Sequence, residues 1–282
     1  MRVLLVLFAV FVALTLAGAG GGATRGALAE VDRTIYSPAV AGRLGLEIYL
    51  PAAYARSTRR YPVIYFLHGL PATSTAYRGS RFVADALART GREAIVVAPQ
   101  GARAGDTDPE YLDWGGGRNW ETALDRNVVD YVDQHYRTIP TRRGRALLGL
   151  SAGGYGAMLL TLHHLDAFSV VESWSGYFHP TDPTGLHALD LGSAGRNARS
   201  SAHSYVPVLR RATARHPTLI AFYVGRDDDR FRDENERFDR ELRAAHIPHV
   251  FAVYAGGHAQ RVWAQHAASW LGLALNHLAR PR

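Results

Sequence analysis

Gly149-Leu150-Ser151-Ala152-Gly153 lies between two runs of different character, and that placement decides the fold. Ahead of it, Arg145 to Leu150 reads as a short buried strand. Behind it, Ala152 to His163 carries small and apolar residues suited to a helix packed on a sheet. A serine in a GxSxG pattern at such a junction sits on a sharp, strained turn, the nucleophile elbow, so its neighbours must be small enough for strand and helix to approach closely. Gly149, Gly153 and Gly154 meet that need, and Ser151 is the candidate nucleophile. The pentapeptide alone is weak, because Gly, Ser and Ala are common and the pattern arises by chance. Partner residues have to decide.

Working outward, strand-like and helix-like segments alternate. Tyr61 to His68 and Ala94 to Pro99 read as strands with a helical pattern at Arg81 to Thr90 between them. A helix follows at about Glu121 to His135, then the strand and helix around Ser151, and a strand at Ser169 to Ser175. Thr218 to Val224, a helix near Asp233 to Ala245, His249 to Tyr254 and a terminal helix from Gln260 to Leu278 complete the series. This alternation predicts a mostly parallel central sheet with helices on both faces, in a single α/β domain over residues 30–282. Thr34 to Leu50 alternates apolar and polar residues, as two antiparallel strands around a turn at Ala41-Gly42 would. Gly101 to Arg118 and Phe178 to Ser204, rich in Gly, Pro, Asp, Ser and His, read as long loops. In open α/β sheets, loops at the carboxyl ends of the strands build the ligand site.

Residues 1–29 are set apart. Met1-Arg2 followed by an apolar run from Val3 to Ala17 reads as a secretory signal peptide, with small-residue cleavage sites ending at Ala19 or Ala29. The expectation is a secreted or extracytoplasmic protein; the alternative is an uncleaved membrane anchor. The chain of 282 residues has no cysteine, so a disulfide or a lipid-modified cysteine is excluded and stability rests on the core. The net charge of +7 would ordinarily suggest an anionic partner, but all 32 basic residues are arginine and they are scattered. No basic stripe interleaved with aromatics appears, so nucleic acid is not expected as a partner. Peripheral contact with an acidic cell envelope stays open, and nothing here indicates an oligomeric state.

A serine hydroxyl attacks only when a base takes its proton, and the base needs an acid to fix its tautomer. In the nucleophile-elbow architecture the order is serine, acid, histidine. Thr218 to Val224 leads into Gly225-Arg226-Asp227-Asp228-Asp229, and His249 to Tyr254 leads into Ala255-Gly256-Gly257-His258. Both candidates fall just after a strand, with glycines before His258 to turn its ring back toward Ser151. Among the 13 histidines, His163, His164 and others in amphipathic segments read as surface or cap residues. No zinc spacing or EF-hand pattern appears, so neither metal nor cofactor is expected. One oxyanion donor would be the Ala152 amide, and a second the Leu70 amide after His68-Gly69. The His68 side chain is expected only to pack beneath its turn.

The runs Tyr61 to Gly69, Trp120-Glu121-Thr122, Tyr136-Arg137-Thr138, Gly149 to Ala157, Ser173-Trp174-Ser175-Gly176 and Gly256-Gly257-His258 with Trp263 together resemble an esterase family of α/β-hydrolases. Esterase D, feruloyl esterases, enterochelin esterases and the antigen 85 mycolyltransferases belong to it. The resemblance spans roughly residues 34 to 275 and implies the α/β-hydrolase fold. It implies Ser151 as nucleophile, His258 as base, an acid in the Asp227 to Asp229 run, and Leu70 and Ala152 as oxyanion donors. Asp228, about thirty residues before the histidine, is the first choice and Asp227 the second. The activity implied is hydrolysis of a small-molecule, carbohydrate or glycolipid ester, or acyl transfer to a sugar or lipid hydroxyl. A noncatalytic binding protein on the same fold is the third reading. Ala152 stands where the hydrolases usually have methionine, which leaves the acceptor undecided.

Overall fold

β1 (Ala29–Ser37), β2 (Gly42–Leu50), β3 (Val63–Leu67), β4 (Ile95–Pro99), β5 (Arg145–Leu150), β6 (Val170–Trp174), β7 (Leu219–Gly225) and β8 (Val250–Tyr254) build one sheet. Its order is β1-β2-β4-β3-β5-β6-β7-β8 in the computed structural model, which describes residues 28–106 and 109–282. β1 pairs antiparallel with β2, and β2 with β4; every later pairing is parallel. The helices are α1 (Arg81–Arg89), α2 (Trp120–Thr122), α3 (Val129–His135), α4 (Ala152–His163), α5 (Ala194–Arg199), α6 (Val206–Arg215), α7 (Arg232–Ala244) and α8 (Gln260–His277).

The parallel strands are apolar on both sides because both faces are covered. Val63, Tyr65 and Leu67 of β3 join a core with Val132 of α3, Met158 of α4 and Phe238 of α7. The intervening Ile64 and Phe66 join a second core with Val83 and Leu87 of α1 and Trp270 and Leu271 of α8. Burying one such side chain contributes roughly 1.5–3 kcal/mol, so these two layers supply the stability that disulfides cannot. The parallel pairing also sets the site: Leu67 lies beside Gly149 and Gly149 beside Ser173, so the ends of β3, β5 and β6 come level.

Strands and helices around the elbow lie where the residue pattern predicts. The segment from Phe178 to Ser204, expected as loop, carries α5, and α6 beyond it was not anticipated. Local signals for both exist: the Ser193 hydroxyl accepts from the Arg196 amide at 3.3 Å as an N-cap, and Pro207 opens α6. The helix expected near Glu121 to His135 is interrupted by a π-helical stretch at Ala123–Val128. There Asn127 Oδ1 accepts from the Ser37 hydroxyl at 2.6 Å. The first strand starts at Ala29 rather than Thr34. The leader expected over residues 1–29 lies outside the described residues except for its end, where Ala29 pairs with Leu50. Among the described residues no helix is long and apolar enough to cross a membrane.

Candidate active site

Ser151 joins β5 to α4 with φ 53° and ψ −123°. A non-glycine residue in this region costs on the order of 1–3 kcal/mol, so the surroundings must hold it there. The Ser151 amide donates to the Trp174 carbonyl at 2.9 Å, and the Ser151 carbonyl accepts from Gly154 at 2.8 Å and Tyr155 at 3.1 Å. A Cβ on Gly149 would lie 2.1 Å from the Gly153 carbonyl oxygen, and one on Gly153 would lie 2.1 Å from that of Leu67. Strand and helix meet too closely there for any side chain, which is the physical content of the motif.

The structure brings three of the expected residues into one hydrogen-bonded line. His258 Nε2 lies 2.9 Å from Ser151 Oγ, and Asp228 Oδ2 accepts from His258 Nδ1 at 2.8 Å. A carboxylate only accepts, so the proton resides on Nδ1 and the Nε2 lone pair faces the serine hydroxyl. Asp228 is 2% exposed, in the turn between β7 and α7. Asp227 is exposed, while its amide donates to the Gly256 carbonyl at 3.1 Å and ties the loop of Asp228 to that of His258. The His258 ring is held between Trp263, edge-on at 4.9 Å, and Phe231 at 5.3 Å. Trp263 is itself fixed, donating from Nε1 to Ser175 Oγ at 2.9 Å. Phe231 was not singled out in the sequence; a lone aromatic at the start of a helix gives no signal that it will face an imidazole.

Ala152 opens α4 directly after Ser151, and Leu70 lies on the turn after β3. Neither amide donates to a protein acceptor among the described residues. His68 packs as expected. It is buried, Nδ1 donates to the Gly69 carbonyl at 2.9 Å, and Nε2 accepts from the Gly101 amide at 3.1 Å. Burial pushes its pKa down to about 4, so the ring is neutral and bridges the ends of β3 and β4. A cavity of about 270 Å³ flanks the same turn, bounded by Phe66, Leu70, Phe82, Leu150 and Trp263.

Two further clusters lie outside this line, and the first corrects the reading of His163 and His164 as surface or cap residues, their side chains being 12% and 25% exposed. Glu121 Oε1 accepts from His163 Nδ1 at 2.6 Å and from His164 Nε2 at 2.9 Å. Burial alone would raise the Glu121 carboxyl; the two histidine donors reverse that and hold it down to about 2. The second cluster is His179, His203 and Glu234. Neither was visible as a metal-ligand spacing, because each draws its members from separate stretches of chain.

The chain also matches known proteins. The family model described as "Putative esterase" matches residues 37–270. Esterase Rv1288 of Mycobacterium tuberculosis (strain ATCC 25618 / H37Rv) is 29% identical over 241 residues, covering 77% of this chain and 53% of that protein. The chain thus spans about half the length of the curated relatives it matches first. The diacylglycerol acyltransferase/mycolyltransferase Ag85A of Mycobacterium leprae (strain TN) is 37% identical over 78 residues, 27% of this chain and 23% of that protein. Among solved structures, a ferulic acid esterase superposes with a TM-score of 0.74 at 27% identity, covering 89% of this chain and 98% of that one. An S-formylglutathione hydrolase from Agrobacterium tumefaciens shares the fold with a TM-score of 0.74 at 19% identity, covering 91% of this chain and 98% of that one. The family match runs from the end of β1 into α8 and takes in Ser151, Asp228 and His258, and on it the chain belongs to this esterase family of α/β-hydrolases.

Proposed function

We propose that this chain is an exported serine hydrolase that cleaves carboxylic esters through an acyl-enzyme on Ser151. The observation that carries the proposal is the unbroken relay from Ser151 Oγ through His258 to buried Asp228, at 2.9 and 2.8 Å. Ser151 Oγ attacks the ester carbonyl while its proton passes to His258 Nε2. Asp228 stabilises the imidazolium, and the Leu70 and Ala152 amides donate to the oxyanion. Collapse expels the alcohol, which takes the proton from His258. Water, deprotonated by the same nitrogen, then attacks the acyl group and releases the acid and free Ser151. The Met1-Arg2 start and the apolar run to Ala17 support export, with cleavage after Ala19 or Ala29.

The similarity to a mycolyltransferase over 78 residues favours a second reading, in which a sugar or lipid hydroxyl replaces water in the second step. One preparation tests both. The wild-type protein is expected to take up a fluorophosphonate probe and Ser151→Ala to take up none; a folded wild type that stays unlabelled refutes the enzyme. Loss of the nucleophile in such enzymes costs a factor of about a million in turnover, so the contrast is large. Acid release from a model ester, unchanged by an added carbohydrate acceptor and without a new ester product, assigns hydrolysis over transfer to that acceptor.

A further inference from the structure

His179 follows β6, His203 lies in the short 3-10 turn at Ala202–Tyr205, and Glu234 lies in the first turn of α7. The fold brings one donor atom from each within 4.8 Å of the others. Glu234 Oε1 accepts from His179 Nδ1 at 2.5 Å and from the Phe178 amide at 2.8 Å. His203 Nε2 lies 3.4 Å from the same oxygen. On the far side of that ring, Glu241 Oε2 accepts from His203 Nδ1 at 2.5 Å.

A carboxylate only accepts, so Glu241 fixes a proton on His203 Nδ1. The Nε2 lone pair then faces a second carboxylate across 3.4 Å, with both side chains only 14% exposed. Two electron-rich groups held face to face need an electrophile between them, either a second proton or a cation. An imidazole whose far N–H is held by a carboxylate is how a metal-bound histidine is oriented. Two imidazole nitrogens and one carboxylate oxygen suit zinc, and His179, with 35% of its side chain exposed, leaves solvent a path to the fourth position. In the Glu121, His163 and His164 cluster, His164 likewise stands between two carboxylates, Nε2 at 2.9 Å from Glu121 Oε1 and Nδ1 at 3.5 Å from Asp125 Oδ2, but there His163 Nε2 is already engaged by Tyr205 Oη at 2.7 Å and the Arg199 carbonyl at 3.0 Å.

We propose that His179 Nδ1, His203 Nε2 and Glu234 Oε1 bind one zinc-like divalent cation, with Glu241 positioning His203 from behind. The cation ties the excursion between β6 and α6 to α7, the helix that begins just after Asp228. The test is titration of the chelator-stripped full chain with zinc chloride, read by calorimetry and by thermal unfolding. One zinc per chain and a zinc-dependent rise in Tm are expected. His203→Gln and Glu234→Gln should lose the binding, and Glu241→Gln should weaken it about 10–100-fold. His163→Asn, in the other cluster, should keep wild-type affinity. His179→Asn changes a partly exposed side chain, and its loss of affinity carries the assignment should the buried variants not fold. A wild type that takes up no zinc overturns the proposal and leaves His203 as a doubly protonated bridge between two glutamates. Wild-type affinity in His179→Asn, or loss of affinity in His163→Asn, overturns it as well.

Discussion

Asp227 and Asp228 are adjacent in sequence and opposite in burial, and that difference is why the proposed mechanism takes Asp228 as the acid. Asp228→Asn keeps the shape but turns a donor toward His258 Nδ1, which disfavours the tautomer that activates Ser151. By analogy with triads in general, kcat on a model ester should fall by about 10³–10⁴-fold. Asp227→Asn, at an exposed position, should leave kcat near the wild-type value; an inverted result would move the acid role to Asp227. The chemistry of the site was legible where it depended on order and on strand ends: Ser151 on its glycine-flanked turn, His258 after Gly256-Gly257, an acid after β7. The choice between neighbouring aspartates was not, because the turn after β7 decides which carboxylate points inward. The same limit applies to Phe231 and to the glutamate partners of the histidines, which are brought together by packing across distant segments.

Two helical glycines show how differently one residue type can act within an element. Gly153 lies in the first turn of α4, where an added Cβ would meet the Leu67 carbonyl oxygen at 2.1 Å. Gly272 lies in α8 with nothing within 4 Å of an added Cβ. Gly153→Ala should therefore lower the unfolding free energy by about 1–3 kcal/mol by overpacking the junction. Gly272→Ala should raise it by about 0.4–1 kcal/mol through reduced chain entropy and better helix propensity. Denaturant melts of the two variants check the signs, and stabilisation by Gly153→Ala would refute the close-approach account of the elbow. Regular elements were readable in the sequence because their apolar spacing is set by burial on the sheet. α5 and α6 escape that pattern because they bury little apolar surface, none of α5 and only Leu209 of α6, although the Ser193 cap and Pro207 were present. The π-helical stretch had no sequence signature; the contact between Asn127 and the end of β1 accompanies it.

At the scale of the whole molecule, Glu172 is one of several charged or polar groups buried among apolar neighbours. It lies fully buried on β6, accepting from Trp174 Nε1 at 3.0 Å, and burial pushes its pKa up from 4.5 to about 8. The folded state keeps the carboxyl protonated in a range where the unfolded chain releases the proton. Folding thus binds the extra proton, and stability falls as the pH rises from about 4.5 to about 8, with each pKa unit equivalent to about 1.4 kcal/mol. Glu172→Gln removes that dependence. Its Tm should gain on the wild type steadily between pH 5 and pH 8, and parallel Tm profiles would rule out the buried proton. The two margins of the sheet differ as well. β1 carries exposed Glu30, Asp32 and Arg33 along its length, which discourages pairing with another chain, whereas β8 reads Val-Phe-Ala-Val-Tyr with Val253 37% exposed. β8 is also the strand that leads to His258, and among the described strands it pairs with β7 alone, while β5, which leads to Ser151, is paired on both sides. On the proposed mechanism the nucleophile is anchored at the centre and the base at the rim, so fraying of one border strand would silence the molecule while most of the sheet still stands.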